Sequence, residues 1–241
     1  MCAHRTMTRS ITEDGETEAG AGRIALALGG GGARAAYQVG FLRYLAREHA
    51  DLKIPILTGV SAGAINSTFL ANRVGPVLGS VDDLAKLWSE LHTEDVFDVS
   101  SVSLGGIVAR WGARLIGGGS QMLNVTRGLV DTDPLRQLLH EKLGADEYGR
   151  LTGIAENLAH HDLEAAALTT TNYGTGQSIT WVQGKGRRWR RRHRLSAHDE
   201  LNVEHVMASA ALPIFFPAAK IGTDWHGDGG IRLTAPLSQR G

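Results

Sequence analysis

Cysteine is nearly absent from the chain, since Cys2 is the only one among 241 residues. A single cysteine excludes a disulfide framework and a cysteine-rich metal site, and it agrees with a reducing compartment. Net charge is absent as well, because 25 basic residues balance 25 acidic ones. No bulk electrostatic attraction therefore draws the chain to nucleic acid, and we expect no metal, no cofactor and no nucleic-acid partner.

We also expect no secretory signal and no membrane-spanning segment within these residues. Residues 1–22 contain no apolar core of the kind that a secretory signal needs, and we interpret them as a disordered tail. The longest uncharged stretch, residues 54–72, includes a proline, two glycines and several hydroxyl side chains, which argue against a transmembrane helix. These features favour a cytoplasmic protein whose residues 23–241 form a single domain.

The first part of this domain alternates strand-like and helix-like segments. The apolar run 23–28 predicts a buried strand, and residues 54–58 predict a second strand that continues into a helix ending near Asn72. The helix between the strands is expected to bury one apolar face: Ala36, Val39, Leu42 and Leu45. This β-α-β-α order predicts an α/β fold with a mainly parallel sheet.

Local signals predict further elements in the rest of the chain. A capping box predicts a helix start at Ser80, and an N-cap followed by proline predicts another at Asp133. Residues 98–130 are rich in glycine and serine without a regular period, and we interpret them as an irregular insertion near a site or as a surface excursion. Two strands and one helix are predicted beyond them: residues 163–171, 177–182 and 203–211.

A run of glycines follows the first strand. Gly30, Gly31, Gly32 and Arg34 precede the first helix in the spacing G-x-G-x-x-A, which is also found in dinucleotide sites. Residues without side chains let several backbone N–H groups face one point beside a helix N-terminus. That point suits a pyrophosphate or the oxyanion of a tetrahedral acyl intermediate. A tight turn that binds no ligand is the third explanation.

Residues 59–63 (GVSAG) match the pattern G-x-S-x-G between a strand and a helix, which is the context of a nucleophile elbow. Gly59 and Gly63 would let the neighbouring backbone pass closely, while Ser61 would present Oγ at the carboxyl edge of the sheet. The N–H of Ala62 and the helix N-terminus would stabilise negative charge there. An ordinary helix cap formed by Ser61 is the alternative.

A serine nucleophile needs a base, and the sequence offers two candidates close together. Asp228 is followed by Gly229 and Gly230, which permit a sharp turn that aims its carboxylate inward. His226 is the last histidine of the chain. No histidine therefore follows Asp228 in the Ser-Asp-His order of α/β-hydrolases.

In this order and context the motifs resemble the patatin-like phospholipase family, as do residues 208–213 (ASAALP) and 215–217 (FFP). The resemblance extends from about residue 23 to residue 236. It implies a three-layer α/β/α fold and an enzyme that hydrolyses phospholipids, lysophospholipids or other acyl esters. The family uses a Ser-Asp dyad without histidine, and it forms an acyl-enzyme.

Residue roles follow from the same resemblance. It implies that Ser61 is the nucleophile, that Asp228 is the base, and that backbone groups of Gly30 to Gly32 form the oxyanion hole. Arg34 matches the arginine of the family's loop, where it orders the loop or meets an anionic group. Ala35 stands where the family often has glycine. The chain ends 13 residues after Asp228, whereas family domains continue with another strand and helix, so we expect the C-terminal part of the domain to be missing.

Other readings remain open from the residues alone. A classical Ser-His-Asp esterase would use His226, or His205 together with Asp199. A nucleotide-binding module would use the Gly30 loop. A catalytically silent relative would act as a binding protein only. The Ser-His-Asp esterase differs from the dyad in the side chain that serves as the base. The nucleotide-binding module differs in the ligand that the protein binds.

The segment 187–194 concentrates positive charge within the neutral chain. Such a run suits anionic lipid head groups, at about 1 kcal/mol per basic residue near a charged membrane, with Trp189 at the interface. A solvated surface paired with nearby acids is the alternative. We predict peripheral contact with an anionic membrane through six arginines: Arg187, Arg188, Arg190, Arg191, Arg192 and Arg194.

Overall fold

The computed structural model of the chain describes residues 24–97 and 130–231. Three of the predictions above fall outside these residues. They are the disordered tail, nearly all of the irregular insertion at 98–130, and the extent of the domain beyond residue 231.

Within the described residues, eight strands form a single sheet. The strands are β1 (Ala25–Leu28), β2 (Ile56–Val60), β3 (Ala165–Asn172), β4 (Ser178–Gly184), β5 (Arg190–Arg191), β6 (Arg194–His198), β7 (Ala219–Ile221) and β8 (Asp224–Asp228). The helices are α1 (Ala35–Glu48), α2 (Ala62–Asn72), α3 (Val77–Glu90), α4 (Thr93–Val96), α5 (Asp133–Leu143), α6 (Thr152–Ala159) and α7 (Val203–Ala210). Gly32–Arg34 and Gly229–Ile231 form short 3-10 turns.

The sheet is mixed, with the order β1-β2-β3-β4-β6-β5 and with β8 pairing both β3 and β7. The ladders β1–β2, β2–β3 and β4–β6 are parallel. The other ladders are antiparallel. In three of them short turns join the paired strands, β3 to β4, β5 to β6 and β7 to β8, whereas a parallel crossover needs a much longer connection. The fourth pairs β8 with β3, which is distant in sequence. The predicted α/β class is confirmed, and the parallel character holds for the strands on which the glycine loop and the elbow stand.

Helices flank the sheet in a three-layer α/β/α arrangement. The largest fully buried side chains come from helices and strands alike and include Leu42, Leu84, Ile154, Leu168 and Val206. Burying apolar surface of this kind stabilises the folded state by about 25 cal/mol per Å². The core built in this way supports the strand ends on which the polar groups of the site stand.

Three local predictions differ in detail from the structure. Helix α1 buries Ala35, Val39, Leu42 and Ala46, because spacings that alternate between four and three residues stay on one face, whereas the predicted positions, three apart throughout, drift around the helix. The predicted capping box at Ser80 is wrong, since α3 begins after Pro76 and the Ser80 hydroxyl donates to the Pro76 carbonyl at 3.4 Å. Helix α5 starts at Asp133 as predicted, although Thr132 occupies the N-cap position.

Two strands that approach from opposite directions create the site. Strand β4 pairs with one edge of β3 from Ala165 to Thr171, so β2 and β8 must share the other edge. There Val60 lies opposite Thr169, and Asp228 lies opposite Thr170. Strand β2 therefore ends where β8 ends, and the residues that follow Val60 meet Asp228 although they are far apart in the sequence.

None of the helices within residues 24–97 and 130–231 combines the length and the apolar character that crossing a bilayer requires.

Candidate active site

Ser61 occupies a sharp turn between β2 and α2. Its backbone has φ 56° and ψ −133°, a strained conformation for a residue with a side chain. A Cβ on Gly59 would overlap the Gly63 carbonyl oxygen, and a Cβ on Gly63 would overlap the carbonyl oxygens of Leu28 and Gly29. The turn therefore depends on glycine at both flanking positions, and this is the geometry that the G-x-S-x-G pattern predicts.

Ser209 anchors this turn from the opposite side. The backbone N–H of Ser61 donates to Ser209 Oγ at 3.1 Å, and the Ser209 hydroxyl donates to the Thr169 carbonyl at 2.7 Å. Ser209 lies on α7 and is fully buried, so it ties the elbow to β3. The segment ASAALP contains Ser209 but gives no sign of this role, since the partners of Ser209 come from distant parts of the chain.

The structure brings Ser61 and Asp228 into direct contact. The Ser61 hydroxyl donates to Asp228 Oδ2 at 2.7 Å, and the Gly230 N–H donates to Asp228 Oδ1 at 2.6 Å. The backbone of Asp228 is also fixed, because its N–H donates to the Ala211 carbonyl and its carbonyl accepts from Thr171 Oγ1. Each oxygen of the carboxylate thus has a donor, and one of these donors is the serine hydroxyl.

Burial alters the acidity of Asp228. The residue is 2% exposed, and this desolvation raises the pKa of its carboxyl group above 3.8, while the hydrogen bonds from Ser61 and Gly230 act in the opposite direction. A carboxylate with a raised pKa is a stronger base than an exposed aspartate. The carboxylate therefore has both the position and the basicity to accept the serine proton.

The glycine loop passes directly over the serine side chain. A Cβ on Gly30 would lie 2.9 Å from Ser61 Cβ and 3.5 Å from Ser61 Oγ. Helix α2 begins at Ala62, so its first N–H groups have no acceptor within the helix and carry positive potential. Arg34 closes the turn after Gly31, because its N–H donates to the Gly31 carbonyl at 3.2 Å.

The side chain of Arg34 is exposed. Within residues 24–97 and 130–231 it forms no ion pair. Its positive charge is therefore available to an anionic group that approaches the loop from solvent.

An apolar cavity of about 390 Å³ opens beside Ser61. This volume lies in the range of ligand pockets. Side chains from α2, α3 and α5 form much of its wall, including Phe69, Leu87, Trp88, Leu135, Leu138 and Leu139. Such a wall suits a hydrocarbon chain attached to a group that reacts with the serine.

The two buried histidines lie near the site and bind other partners. Trp181 Nε1 can only donate, and it donates to Thr170 Oγ1 at 2.9 Å. The same Thr170 oxygen lies 3.1 Å from His226 Nδ1, within hydrogen-bond distance, so the imidazole is held against Thr170. Burial lowers the pKa of His226 below 6.5. Among the described residues, no hydrogen bond joins His226 to Ser61.

His205 is held at the start of α7. Its Nδ1 lies 2.8 Å from Asn202 Oδ1 and its Nε2 lies 3.8 Å from Asp199 Oδ2. Burial lowers its pKa to about 4, so the ring is neutral at physiological pH. No hydrogen bond within the described part of the chain joins it to Ser61, and the triad alternative with Asp199 gains no support.

The arginine segment lies at the same edge of the sheet as Ser61. Strand β4 runs antiparallel to β3 and therefore starts at this edge, and β6 is parallel to β4. The Ser178 N–H donates to the His193 carbonyl at 3.0 Å, which holds the turn between β5 and β6 beside the start of β4. In the part of the chain that the structure describes, no ion pair involves Arg190, Arg191 or Arg192.

Within residues 24–97 and 130–231, no group of three or more His, Cys, Asp or Glu side chains is arranged to hold a metal ion. The groups that the structure gathers at the site are the serine, the carboxylate and the backbone dipoles around them. These groups together match the requirements of acyl transfer: a nucleophile, a base and donors for an oxyanion.

Comparison with known proteins adds three findings. The family model described as Patatin-like phospholipase matches residues 26–239. No curated protein matches the chain. Among solved structures, the crystal structure of VipD from Legionella pneumophila is similar, with 18% sequence identity and a TM-score of 0.49. The similarity covers 99% of this chain and 52% of that one, so this chain spans about half the length of that protein.

Proposed function

The chain belongs to the patatin-like phospholipase family, and on this premise we propose that it is a serine hydrolase of lipid acyl esters. The family is one of lipid acyl hydrolases, and its three-layer fold is the fold of this chain. One observation carries the proposal to the level of residues. The Ser61 hydroxyl donates to a buried carboxylate, Asp228, at 2.7 Å, at the mouth of an apolar cavity.

Ser61 acts as the nucleophile and Asp228 as the base. As Ser61 Oγ bonds to the ester carbonyl carbon, its proton moves to Asp228 Oδ2. The resulting oxyanion is stabilised by backbone N–H groups of Gly30, Gly31 and Gly32 and by the N-terminus of α2. When the intermediate collapses, the ester C–O bond breaks, the alcohol leaves with the proton from Asp228, and the acyl group stays on Ser61.

Water completes the cycle. Asp228 takes a proton from a water molecule, whose oxygen attacks the acyl carbonyl and forms a second oxyanion in the same position. Collapse of this intermediate releases the fatty acid and returns the proton to Ser61 Oγ. The acyl chain lies in the apolar cavity during both steps, where each buried methylene contributes about 0.8 kcal/mol of binding.

Labelling by a fluorophosphonate probe tests this proposal, because it requires the elbow, the base and the oxyanion donors to be assembled together. We expect the native chain to form an adduct that peptide mass spectrometry locates at Ser61, and the heat-denatured chain to form none. An unlabelled native chain that binds NAD or ATP in calorimetric titration would instead support the nucleotide-binding alternative.

The arginines at the turn between β5 and β6 extend the proposal to the membrane surface that holds the substrate. We infer that Arg190, Arg191 and Arg192 contact an anionic membrane, since they lie at the sheet edge that carries Ser61 and have no acidic partner among the described residues. Trp189 supports this contact, because the Arg191 guanidinium lies 5.9 Å from its ring centre, and paired Trp and Arg side chains favour the interface of a bilayer.

Replacing these three arginines by glutamine should weaken binding to phosphatidylserine vesicles by roughly 100-fold, at about 1 kcal/mol for each basic residue. Vesicle sedimentation at low salt measures the effect. The matched control removes three exposed basic residues from the opposite sheet edge, Lys53, Arg47 and Arg73, and should bind like the wild type. Wild-type binding that depends neither on anionic lipid nor on salt rules out the contact.

A further inference from the structure

A chain of hydrogen bonds joins the first three helices to the glycine loop. Trp88 Nε1 of α3 donates to Asn66 Oδ1 of α2 at 2.7 Å. Asn66 Nδ2 donates to Gln38 Oε1 and to the Ala35 carbonyl, each at 3.1 Å. Gln38 Nε2, on α1, donates to the Gly29 carbonyl at 2.8 Å. This series of hydrogen bonds thus starts at Trp88 in the cavity wall and ends at Gly29, the residue before Gly30 to Gly32.

The direction of every bond in this chain is determined by its first member. An indole N–H has no acceptor capacity, so Asn66 must present its oxygen to Trp88 and its amide hydrogens to the other side. The Gln38 oxygen then faces Asn66, and the Gln38 amide nitrogen is left to face Gly29. Asn66 is fully buried, and a buried amide in the reverse orientation would lose these partners.

The Gly29 carbonyl is the point at which this chain acts on the proposed catalytic machinery. A trans peptide unit is planar, and its C=O and N–H point in opposite directions. The hydrogen bond from Gln38 to the Gly29 carbonyl therefore fixes the direction of the Gly30 N–H, which belongs to the same peptide unit. It also polarises that unit, which strengthens the N–H as a donor.

We propose that Gln38 is a positioning residue that aims the Gly30 N–H at the oxyanion formed on Ser61. The inference rests on the hydrolase activity proposed above and adds a residue that the motifs do not contain. Gln38 does not touch the reacting atoms. It acts through the Gly29–Gly30 peptide, and Asn66 and Trp88 keep it in the required orientation.

Two substitutions of Gln38 test the proposal. Gln38→Met keeps the length of the side chain and removes the donor to Gly29, and Gln38→Glu places an acceptor where the donor stood. We expect kcat for a short-chain ester to fall by between about 10-fold and 100-fold with KM unchanged, as for a catalytic group displaced by about an ångström. The glutamate variant should be the slower one, because its charge opposes the oxyanion.

A second readout separates positioning from a general loss of folded protein. The rate ratio between an ester and its thionoester depends on hydrogen bonds to the oxyanion, because sulfur accepts such bonds poorly, and it is independent of the amount of active enzyme. We expect this ratio to fall in both Gln38 variants. The control variants are Gln183→Met and Gln183→Glu, since Gln183 is also half-buried, accepts a hydrogen bond from the Leu201 N–H, and lies at the opposite end of the sheet.

The outcomes distinguish this inference from the function on which it rests. Gln38 variants whose kcat and ester-to-thionoester ratio match those of the Gln183 controls overturn the positioning role while the wild type still hydrolyses esters. A wild type that neither hydrolyses esters nor reacts with a fluorophosphonate overturns the hydrolase function and the positioning role with it.

Discussion

Replacing Ser61 with alanine should lower the turnover of an acyl ester by at least about 10³-fold, the range seen when a serine hydrolase loses its nucleophile. Without Oγ no acyl-enzyme forms, and the remaining donors can only stabilise slow attack by water. The fold should tolerate the change, because the Ser61 N–H keeps its bond to Ser209 and the side chain loses a single atom. Initial rates on a lysophospholipid and on a short-chain ester measure the loss.

Ser80→Ala is the matched control for this experiment. Ser80 and Ser61 are each 8% exposed, and each hydroxyl donates to a single partner. Ser80 lies on α3, outside the wall of the cavity, so its substitution should preserve turnover. Hydrolysis that survives in Ser61→Ala at the level of the Ser80 control would show that the elbow serine is not the nucleophile.

The parts of the site that the sequence predicts are those built by neighbouring residues. The elbow needs glycine at positions 59 and 63 because the backbone passes too closely for a Cβ, and this requirement is visible in five consecutive letters. The same holds for the turn after Asp228, where the Gly230 N–H reaches the carboxylate two residues earlier. The contact between Ser61 and Asp228 is different, because these residues are 167 positions apart in the sequence. They meet because β2 and β8 pair with the same edge of β3.

Polar side chains that position the site leave no such signal. Ser209 and Asn66 are fully buried, and their sequence neighbourhoods resemble ordinary helices. Gln38 lies among apolar positions of α1, and its orientation depends on a hydrogen bond from Asn66, which is 28 residues away. The capping-box pattern also misplaced the start of α3, because Pro76 and not Ser80 precedes its first turn. Sequence patterns therefore indicate the groups that we propose to react, and they do not indicate the residues that hold those groups.

Asp228→Asn should lower the turnover of an acyl ester on the order of 10³-fold to 10⁴-fold, whereas His226→Phe should preserve it. Asparagine keeps the shape of the side chain and cannot take the proton of Ser61. Phenylalanine keeps a ring against Trp181, whose centre lies 5.6 Å from that of His226, and removes both ring nitrogens. Turnover of the two variants on the same ester therefore identifies the base. The reverse pattern would assign the base to His226 and support the classical triad.

The melting temperature of Asp228→Asn as a function of pH is a second test of the same variant. Burial raises the folded-state pKa of Asp228 above 3.8, so between 3.8 and that raised value the native chain holds a proton that the unfolded chain has lost. Stability contributed by this proton falls as pH rises through the window. Asp228→Asn removes the buried charge and should melt at or above the wild-type temperature at neutral pH, with no such gain well below pH 3.8. An inactive asparagine variant that melts well below the wild type would mean that Asp228 stabilises the fold and that its charge is not held there for catalysis.

The pH dependence of turnover tests the same carboxyl group. In the wild type, turnover should fall on acidification as Asp228 gains its proton, at a higher pH than an exposed aspartate would give.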